Sequence, residues 1–483
     1  MKQKSLRYRV RGDIEHRTDT VQEADTEYAV MERKRIIFHV DVNSAFLSWS
    51  AVKRLWEDPF CVDLRTVPSA VGGDVETRHG IITAKSIPAK RYGISTGEPV
   101  VKALQKCPGL ILVSSDWETY RTYSRAFIGI LHEFSELVQQ ASVDEAYVDV
   151  TQALSGSRRG LRQKLTEEKD PAASGLDEGD LCEEALQMAA AIRDSIRTRL
   201  GFTVNVGIST NKLLAKMASD FQKPDKTHTL WPEEIPDKMW PLPIASLYGC
   251  GAKTAARLAG LGVVTIGDAA ALELSTLQDF LGEKGGEYIH RASHGQGSDH
   301  VRMQSEEAKS YSNEVTTAED VTLQSYERMV PPILQSLSEK VAGRLQKDGL
   351  FGSTVTVSVK TNDFHRHSRQ LKLTASTNEA AVICGKSGEL LKALLYERGG
   401  IFDRGAGVRL IGVGVSTLDR GEYRQLDLEG FLKEQKRKQE EKKRQEAEQE
   451  RLLRETQRNS RLDEMMKKIK SRYGEDTIHR GMD

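Results

Sequence analysis

Residues 142–149 read Ser-Val-Asp-Glu-Ala-Tyr-Val-Asp, and the rest of the chain is interpreted outward from them. Asp144 and Glu145 stand side by side in an apolar, β-leaning run, where charge without a partner is costly to desolvate. Roughly a hundred residues earlier, the strand-like run 36–40 ends in a single carboxylate, Asp41. Three carboxylates at the ends of two neighbouring strands can hold two Mg²⁺ ions, the usual apparatus for phosphoryl or nucleotidyl transfer.

The two adjacent carboxylates set a condition on the backbone. Successive side chains of an ideal strand point to opposite faces, so a turn at the start of the strand is needed for Asp144 and Glu145 to reach one metal site. Asp149 lies four residues beyond Glu145, about 13 Å along an extended strand. It is therefore predicted to be structural and not a further ligand.

Bulk composition bounds the class of protein. A chain of 483 residues suggests three or four domains, and 38% hydrophobic with 29% charged residues is typical of a soluble globular protein. We find no apolar run near the roughly 20 residues of a membrane span and no secretory signal at the N-terminus. Five scattered cysteines without a CxxC pair argue against a disulfide framework or a zinc site and for a reducing cytosol. The net charge of zero does not by itself indicate nucleic-acid binding.

Periodicity predicts the elements of the first half of the chain. We predict strands at 36–42, 81–83, 110–113 and 203–208, and helices at 44–56, 120–138 and 183–200. Residues 155–184 are polar and contain proline and glycines, which predicts an exposed insertion. Residues 1–34 are charged, lack apolar periodicity and are predicted to be a flexible extension.

A basic segment at 85–93 follows the second predicted strand. Lys85, Lys90 and Arg91 can surround a polyphosphate, because cations offset its charge. A solvated basic helix is the simpler alternative on residue types alone.

Residues 247–262 contain a second informative pattern. Gly249 and Gly251 bracket a tight turn between short helices, followed by Lys253 and Thr254. The pattern predicts a helix-hairpin-helix, whose exposed N–H groups bind a DNA phosphate without reading bases. A plain turn is the alternative.

From residue 309 to 417 the order of predicted elements is β-α-β-β-α-β, which predicts a ferredoxin-like unit. Its polar strand face carries Lys360 and Lys372, and residues 365–367 are assigned to the hairpin loop. Such a face suits a DNA backbone, and a solvated sheet face is an equal alternative. Beyond residue 432 the composition shifts to Lys, Arg, Glu and Gln, typical of a charged single helix or a disordered tail.

Taken together, these motifs resemble the Y-family translesion DNA polymerases of the bacterial DNA polymerase IV type. The resemblance runs from about residue 35 to 417 and rests on specific motifs: the Asp41 strand end, Val71-Gly72-Gly73, residues 142–147, Lys223-Pro224-Asp225 and the helix-hairpin-helix. It implies a multidomain α+β fold with a polymerase palm, small fingers, a helix-hairpin-helix thumb and a β-α-β-β-α-β little finger. The implied bounds are a flexible extension 1–34; palm 35–43 and 115–232 with the insertion 155–184; fingers 44–114; thumb 233–303; little finger 304–418; and a charged tail 419–483.

The resemblance also implies roles for single residues. Asp41, Asp144 and Glu145 match the catalytic metal ligands, and the carbonyl of Val42 adds a ligand for two Mg²⁺ ions. Phe46 matches an aromatic steric gate against a ribose 2′-OH, although helical spacing alone favours a core aromatic. The remaining assignments are nucleotide binding by Lys223, Lys90 and Lys85, and DNA binding by Gly249, Gly251, Lys253, Thr254, Lys360 and Lys372.

This chain departs from the family pattern at three positions. Ile87 and Lys90 stand where many members have a Tyr and an Arg that contact the triphosphate; lysine lacks the bidentate fork and isoleucine cannot donate a hydrogen bond. Asn43 stands where an Asp is frequent, and its amide is expected to cap the following helix.

The resemblance implies template-directed addition of deoxynucleotides to a primer during lesion bypass and DNA repair. Fidelity should be low, since we recognise no proofreading exonuclease. Primer-template DNA and deoxynucleoside triphosphates are the implied partners of a monomer in the bacterial cytosol. Residues 425–431, Gln-Leu-Asp-Leu-Glu-Gly-Phe, resemble the peptide that docks on the sliding clamp, with an ordinary loop as the alternative. The alternative function is a non-catalytic, DNA-binding adaptor recruited through that clamp.

Overall fold

A computed structural model describes residues 35–73, 80–154, 178–303 and 307–421, together with scattered residues between 436 and 474. The main described ranges form two compact units, one containing 35–73 and 80–303 and the other containing 307–421. The predicted extension 1–34, the insertion up to residue 177 and the clamp-like peptide 425–431 lie outside the described residues. Within the described part, no helix combines the length and the apolar character that crossing a membrane requires.

The first unit is built on a five-stranded sheet with strand order β5-β6-β1-β7-β8. Its strands are β1 Ile37–Val42, β5 Val138–Gln140, β6 Glu145–Asp149, β7 Val204–Ser209 and β8 Thr227–Thr229. The helices that accompany it are α1 Ala45–Glu57, α4 Trp117–Phe134, α5 Glu178–Leu200 and α6 Lys212–Ser219. Strand β1 pairs antiparallel with both β6 and β7, so it lies at the centre of the sheet.

The central strand is buried along its whole length because helices cover both faces of the sheet. Phe38 and Val40 pack in the same core as Phe127 of α4 and Ile192 of α5. On the other face, Ile37 packs against Ala215 of α6. This double cover explains why the run before Asp41 is continuously apolar and not alternating.

A small three-stranded sheet and two short helices stand between α1 and α4. The strands are β2 Ser69–Gly72, β3 Ile82–Lys85 and β4 Ile111–Val113, in the order β3-β2-β4. The helices are α2 Ile87–Arg91 and α3 Val100–Lys106. Ser86 caps α2 by accepting a hydrogen bond from the Ala89 N–H at 3.0 Å.

The regular elements within residues 232–293 are all helical. Three short turns, Pro232–Glu234, Ile235–Met239 and Ile244–Ser246, precede α7 Ala252–Ala259, α8 Ile266–Ala270, α9 Leu274–Leu281 and α10 Glu283–Ser293. Their shared core includes Leu258, Ile266, Leu277 and Ile289.

The second unit is a four-stranded antiparallel sheet with two helices on one face. Its elements are β9 Ser310–Val321, α11 Tyr326–Lys347, β10 Phe351–Thr361, β11 Arg366–Thr377, α12 Ala380–Tyr396 and β12 Val408–Asp419. The element order β-α-β-β-α-β is as predicted. The strand order is β11-β10-β12-β9, which leaves the first strand at an edge, whereas a ferredoxin-like sheet places it in the centre; that detail of the prediction is wrong.

Three further details differ from the sequence-based expectations. Helix α4 ends at Phe134, and Val138 begins β5 instead of ending the helix. The prediction extended the helix to residue 138 because apolar residues continue by chance at helical spacing into the strand. Residues 178–184, assigned to the insertion, begin α5. Arg366 and His367, assigned to the hairpin loop, lie in β11.

Candidate active site

The sheet register places Asp41 beside Glu145. Asp41 is the cross-strand partner of Glu145 on one side and of Asn205 on the other, so both acidic side chains stand at the same end of neighbouring strands. Asp41 is 6% exposed, which is unusual for a carboxylate and requires compensating partners.

Asp144 lies just before β6, where the chain bends. Its carbonyl accepts a hydrogen bond from the Val42 N–H at 3.0 Å, which ties the bend to the end of β1. The Ser142 hydroxyl donates to Asp144 Oδ1 at 2.7 Å. The backbone therefore bends directly before Glu145, as it must if the side chains of Asp144 and Glu145 are to reach one metal site.

Two lysine ammonium groups lie among the carboxylates. Lys216 Nζ is 3.2 Å from Asp41 Oδ2, 2.8 Å from Glu145 Oε1 and 3.3 Å from Asp220 Oδ2. Lys223 Nζ is 2.6 Å from Asp41 Oδ2 and 2.8 Å from Asp220 Oδ1. The carboxylates thus bind the cations that the chain itself provides.

These contacts shift the ionisation of the site. Burial alone lowers the pKa of Lys216, but the charges of Asp41, Glu145 and Asp220 outweigh it and the net shift is upward. Burial raises the pKa of Asp144, the Ser142 hydrogen bond offsets part of that rise, and the charges of Asp41 and Glu145 add to it.

His39 lies behind Glu145 in the sheet and is completely buried. Its Nδ1 is 2.8 Å from the Ser219 hydroxyl, and its Nε2 is 3.7 Å from Glu145 Oε2. That separation is too long for a hydrogen bond, and Nε2 has no other partner among the described residues. The neighbouring imidazole and the Lys216 ammonium both hold the pKa of Glu145 below its usual range.

The donor set fits a hard divalent cation. Carboxylate oxygens and a backbone carbonyl are the ligands that Mg²⁺ prefers, and the site already attracts ammonium groups. Among the described residues, however, no group of three or more His, Cys, Asp or Glu side chains converges as a ready metal site. The lysines separate the carboxylates, so metal binding would require these ammonium groups to be displaced.

A cavity of about 640 Å³ opens beside the carboxylates. Seven of the predicted site residues line it: Asp41, Val42, Asp144, Phe46, Lys85, Lys90 and Lys223. Asn43 and Ile87, two positions at which the chain departs from the family pattern, line it as well. Burial lowers the pKa of Lys85, and the nearby charge of Lys90 lowers it further. The cavity therefore combines acidic strand ends with a basic rim, an arrangement suited to a metal-bound polyphosphate.

Phe46 is half-buried at the start of α1 and lines the cavity. Its ring stacks on Tyr120, with centroids 4.7 Å apart, and meets the edge of Trp117 at 5.4 Å. Phe46 thus packs against the core and also lines the cavity, so its position is compatible with both the core interpretation and the gate interpretation.

Asn43 does not cap α1, so that expectation is wrong. The cap position is Ser44, in a left-handed conformation without a side-chain cap bond. The Asn43 amide oxygen instead accepts from the Asp225 N–H at 2.9 Å and from the Thr203 hydroxyl at 3.0 Å. Asn43 therefore anchors the loop that carries Lys223.

The predicted helix-hairpin-helix is asymmetric. A single turn, Ile244–Ser246, precedes it in place of a full helix, and Gly251 is the N-cap of α7. Gly249 has φ +83°, and an added Cβ would lie 2.4 Å from the Tyr288 hydroxyl oxygen. Lys253 is exposed and Thr254 half-buried.

In the second unit, the polar face of the sheet carries both predicted lysines. Lys372 pairs in register with Thr354, and Lys360 pairs with Arg366, so all four side chains share the face opposite the helices. Lys360 Nζ lies 5.6 Å from the centre of the Phe364 ring.

Sequence reasoning missed three residues that hold the site together: Lys216, Asp220 and His39. The available signal was a single lysine inside the otherwise apolar run 213–218 and a single histidine inside the apolar run 36–40. A charged group in a buried helix implies a buried partner, but the sequence does not say which one.

Comparison with known families agrees with this architecture. The impB/mucB/samB family matches residues 40–220, and the C-terminal domain of the same family matches residues 308–428. A family described as the thumb domain of DNA polymerase-iota matches residues 245–297, which include the asymmetric hairpin.

Relatives of similar length extend the comparison. The chain is 35% identical to DNA polymerase IV of Clostridium acetobutylicum over 82% of this chain and 90% of that protein. It is 35% identical to DNA polymerase IV of Halorhodospira halophila over 82% and 98%, and 30% identical to DNA polymerase IV 1 of Bacillus subtilis over 93% of each. A solved Y-family DNA polymerase chimera shares the fold, with a TM-score of 0.64 at 23% identity over 79% of this chain and 98% of the chimera.

Proposed function

This chain belongs to the Y family of DNA polymerases, of the DNA polymerase IV type, and from that premise we propose how its residues perform the reaction. It is a DNA-directed DNA polymerase of the translesion class. The proposed reaction adds a deoxynucleotide to a primer 3′ end under the direction of a template, with release of pyrophosphate and with low fidelity.

The observation that carries the proposal is the position of the carboxylates at the mouth of the cavity. Asp41 and Asp144 line a space of about 640 Å³, and Glu145 is the register partner of Asp41. When bound by these three residues and the Val42 carbonyl, two Mg²⁺ ions would activate the primer 3′-OH and stabilise the leaving pyrophosphate.

The lysines have a distinct proposed role. Lys223 now contacts Asp41 and Asp220; on nucleotide binding, its ammonium would exchange Asp41 for phosphate oxygens. Lys85 and Lys90 line the same cavity and would supply hydrogen-bond donors, which the Ile87 side chain lacks, together with positive charge. Phe46 would exclude a ribose 2′-OH.

DNA would be held by the asymmetric hairpin and by the polar sheet face. Gly249, Gly251, Lys253 and Thr254 present backbone N–H groups and a cation to a phosphate. Lys360 and Lys372 would contact the backbone from the sheet. We further propose the domain bounds given by the resemblance and docking of residues 425–431 on a sliding clamp, where apolar anchors fill a groove.

Primer extension tests the proposal. The purified chain with Mg²⁺, a primed template and deoxynucleotides should extend the primer. The isosteric variant Asp144→Asn should lose more than about a hundredfold in rate, beyond the range seen for changes around metal ligands, while DNA binding by fluorescence anisotropy stays unchanged. A wild-type chain that binds primed DNA but does not extend it would refute the proposal and favour the adaptor function.

A further inference from the structure

A groove beside the bend at residues 142–144, here called the catalytic bend, carries the positive charge of two arginines. Arg121 and Arg125 lie one turn apart on α4, are exposed, and line an open groove of about 680 Å³. The opposite wall is formed by the end of β5 and the bend before Asp144: Gln140, Ala141, Ser142 and Val143.

The two guanidinium groups have no carboxylate partner among the described residues. Within the part of the chain that the structure describes, their one side-chain hydrogen bond runs from Arg125 Nε to the Arg121 carbonyl at 3.3 Å. Like charges four residues apart on a helix destabilise it by a few tenths of a kcal/mol. An anion bound between them would remove that repulsion and satisfy their donors.

The wall opposite the arginines carries two polar side chains, Gln140 and Ser142. Gln140 Nε2 donates to the Ser124 hydroxyl at 3.1 Å, which joins the two sides of the groove at its base. The N–H groups of Ala141 and Ser142 donate to the Glu145 carbonyl, at 2.9 and 3.2 Å, so the bend is fixed directly onto β6.

The catalytic bend separates this groove from the cavity. Asp144 lines the cavity with Lys85 and Lys223, whereas Ser142 and Val143 line the groove. In an in-line displacement, the attacking and leaving oxygens stand on opposite sides of the reacting phosphorus. The triphosphate therefore belongs to the cavity, and the primer must reach the same carboxylates from elsewhere.

We propose that Arg121 and Arg125 bind the phosphodiesters next to the 3′ end of the primer strand. The phosphates next to the primer 3′-OH are the ones nearest to the carboxylates that act on it. The groove is lined by Ser142 and Val143, the two residues directly before Asp144, and paired guanidinium groups match phosphate geometry. The inference rests on the proposed polymerase function and assigns the primer its docking surface.

The test measures binding without chemistry. Wild-type chain and the variant Arg121→Ala/Arg125→Ala are titrated, by fluorescence anisotropy over a salt series, with a primer-template whose primer ends in a dideoxynucleotide. The variant should bind roughly tenfold more weakly, and the slope of log K against log salt should fall by nearly two. The matched control Lys340→Ala/Lys347→Ala removes the same charge from exposed positions of α11 and should keep the wild-type slope.

A neutral methylphosphonate at the last or the preceding primer phosphate locates the contact. It should weaken binding severalfold for the wild-type chain and the control, and by less than about half as much for the arginine variant, because the two changes remove one interaction. Additive losses, or equal salt slopes for the arginine variant and the control, would overturn the inference.

Primer extension at saturating DNA keeps the two proposals apart. A wild-type chain that extends primers but shows additive losses refutes the docking surface alone. Failure of the wild-type chain to extend any primer refutes the proposed function, and the binding cycle still reports on the groove.

Discussion

At the scale of single residues, the negative charges of the site are neutralised by the ammonium group of a buried lysine. Asp41, Glu145 and Asp220 converge on Lys216, whose side chain is 9% exposed. Carboxylates so close together would repel strongly without a cation. The lysine therefore stabilises the fold where the proposed chemistry needs carboxylates held together, and it would compete with a metal ion for the same oxygens.

Replacing that lysine should expose the competition. Lys216→Met should lower the free energy of unfolding in the absence of Mg²⁺ by roughly 3–5 kcal/mol, nearer the lower figure because Glu145 and Asp220 are partly exposed. Added Mg²⁺ should restore more stability to the variant than to the wild-type chain, since the metal replaces the lost charge. Urea unfolding with and without Mg²⁺ measures both effects.

Lys386→Met is the matched control for this substitution. Lys386 pairs with Glu389 at the surface, so its loss should change stability little and leave the Mg²⁺ response as in the wild-type chain. An equal Mg²⁺ effect on the wild-type chain and Lys216→Met would contradict the competition between lysine and metal.

A second prediction at the scale of single residues concerns Phe46. Phe46→Ala should raise incorporation of ribonucleotides relative to deoxynucleotides by roughly tenfold or more, because the ring that would meet a 2′-OH is removed. Competition assays with paired nucleotides measure the ratio. Tyr123, half-buried in the same core but absent from the cavity wall, provides the control: Tyr123→Ala should lower stability with an unchanged ratio. An unchanged ratio in Phe46→Ala would leave the ring a core residue only.

At the scale of elements, backbone conformation decides where the site residues stand. The bend at residues 142–144 turns Asp144 toward the cavity, and the hydrogen bond from Val42 fixes that bend to β1. In the helical part of the first unit, Gly249 allows the chain to enter α7 beneath Tyr288. The Tyr288 hydroxyl donates to the Tyr248 carbonyl at 2.5 Å, so the ring is not free to move away.

Two glycines with similar conformations permit a matched comparison. Gly249 has φ +83° with Tyr288 beside it, whereas Gly262 has φ +79° with open space around it. Gly262→Ala should cost about 1–2 kcal/mol from the left-handed conformation alone. Gly249→Ala should cost clearly more and should also weaken binding of primed DNA, as measured by thermal unfolding and anisotropy. Equal costs would mean that the Tyr288 contact is readily relieved.

At the scale of the whole molecule, the second unit has an apolar core of its own. The second unit packs Val355, Val357 and Val359 against α11 and α12 in a core drawn only from residues 311–418. The carboxylate site and its cavity are formed entirely by the first unit. The geometry of the carboxylate site therefore depends on the packing of the first unit. The geometry of the polar sheet face depends on the core of the second unit.

A fragment should test this division. Residues 307–421 expressed alone should fold and unfold cooperatively by circular dichroism, because the unit retains its complete core. The variant Val357→Asp, which buries a charge at a fully buried position, should remain unfolded under the same conditions. A wild-type fragment without a cooperative transition would show that the second unit requires the first for stability.

Much of the fold was predictable because the positions of helices and strands follow from local patterns in the sequence. The order β-α-β-β-α-β predicted for residues 309–417 is that of the second unit, and the strands predicted at 36–42 and 203–208 correspond to β1 and β7. The strand order of the second unit's sheet was not predictable, since pairing of β12 between β10 and β9 is a long-range choice that no local pattern records.

The sequence by itself determined most of the strands, the long helices, the carboxylates at the strand ends and the family. Only the tertiary structure decided which cations neutralise those carboxylates, what Asn43 binds and where the unpaired arginines of α4 lie. The physical reason is that apolar periodicity is local, whereas a buried charge is stabilised by partners far along the chain: Lys216 reaches Asp41 across 175 positions of sequence.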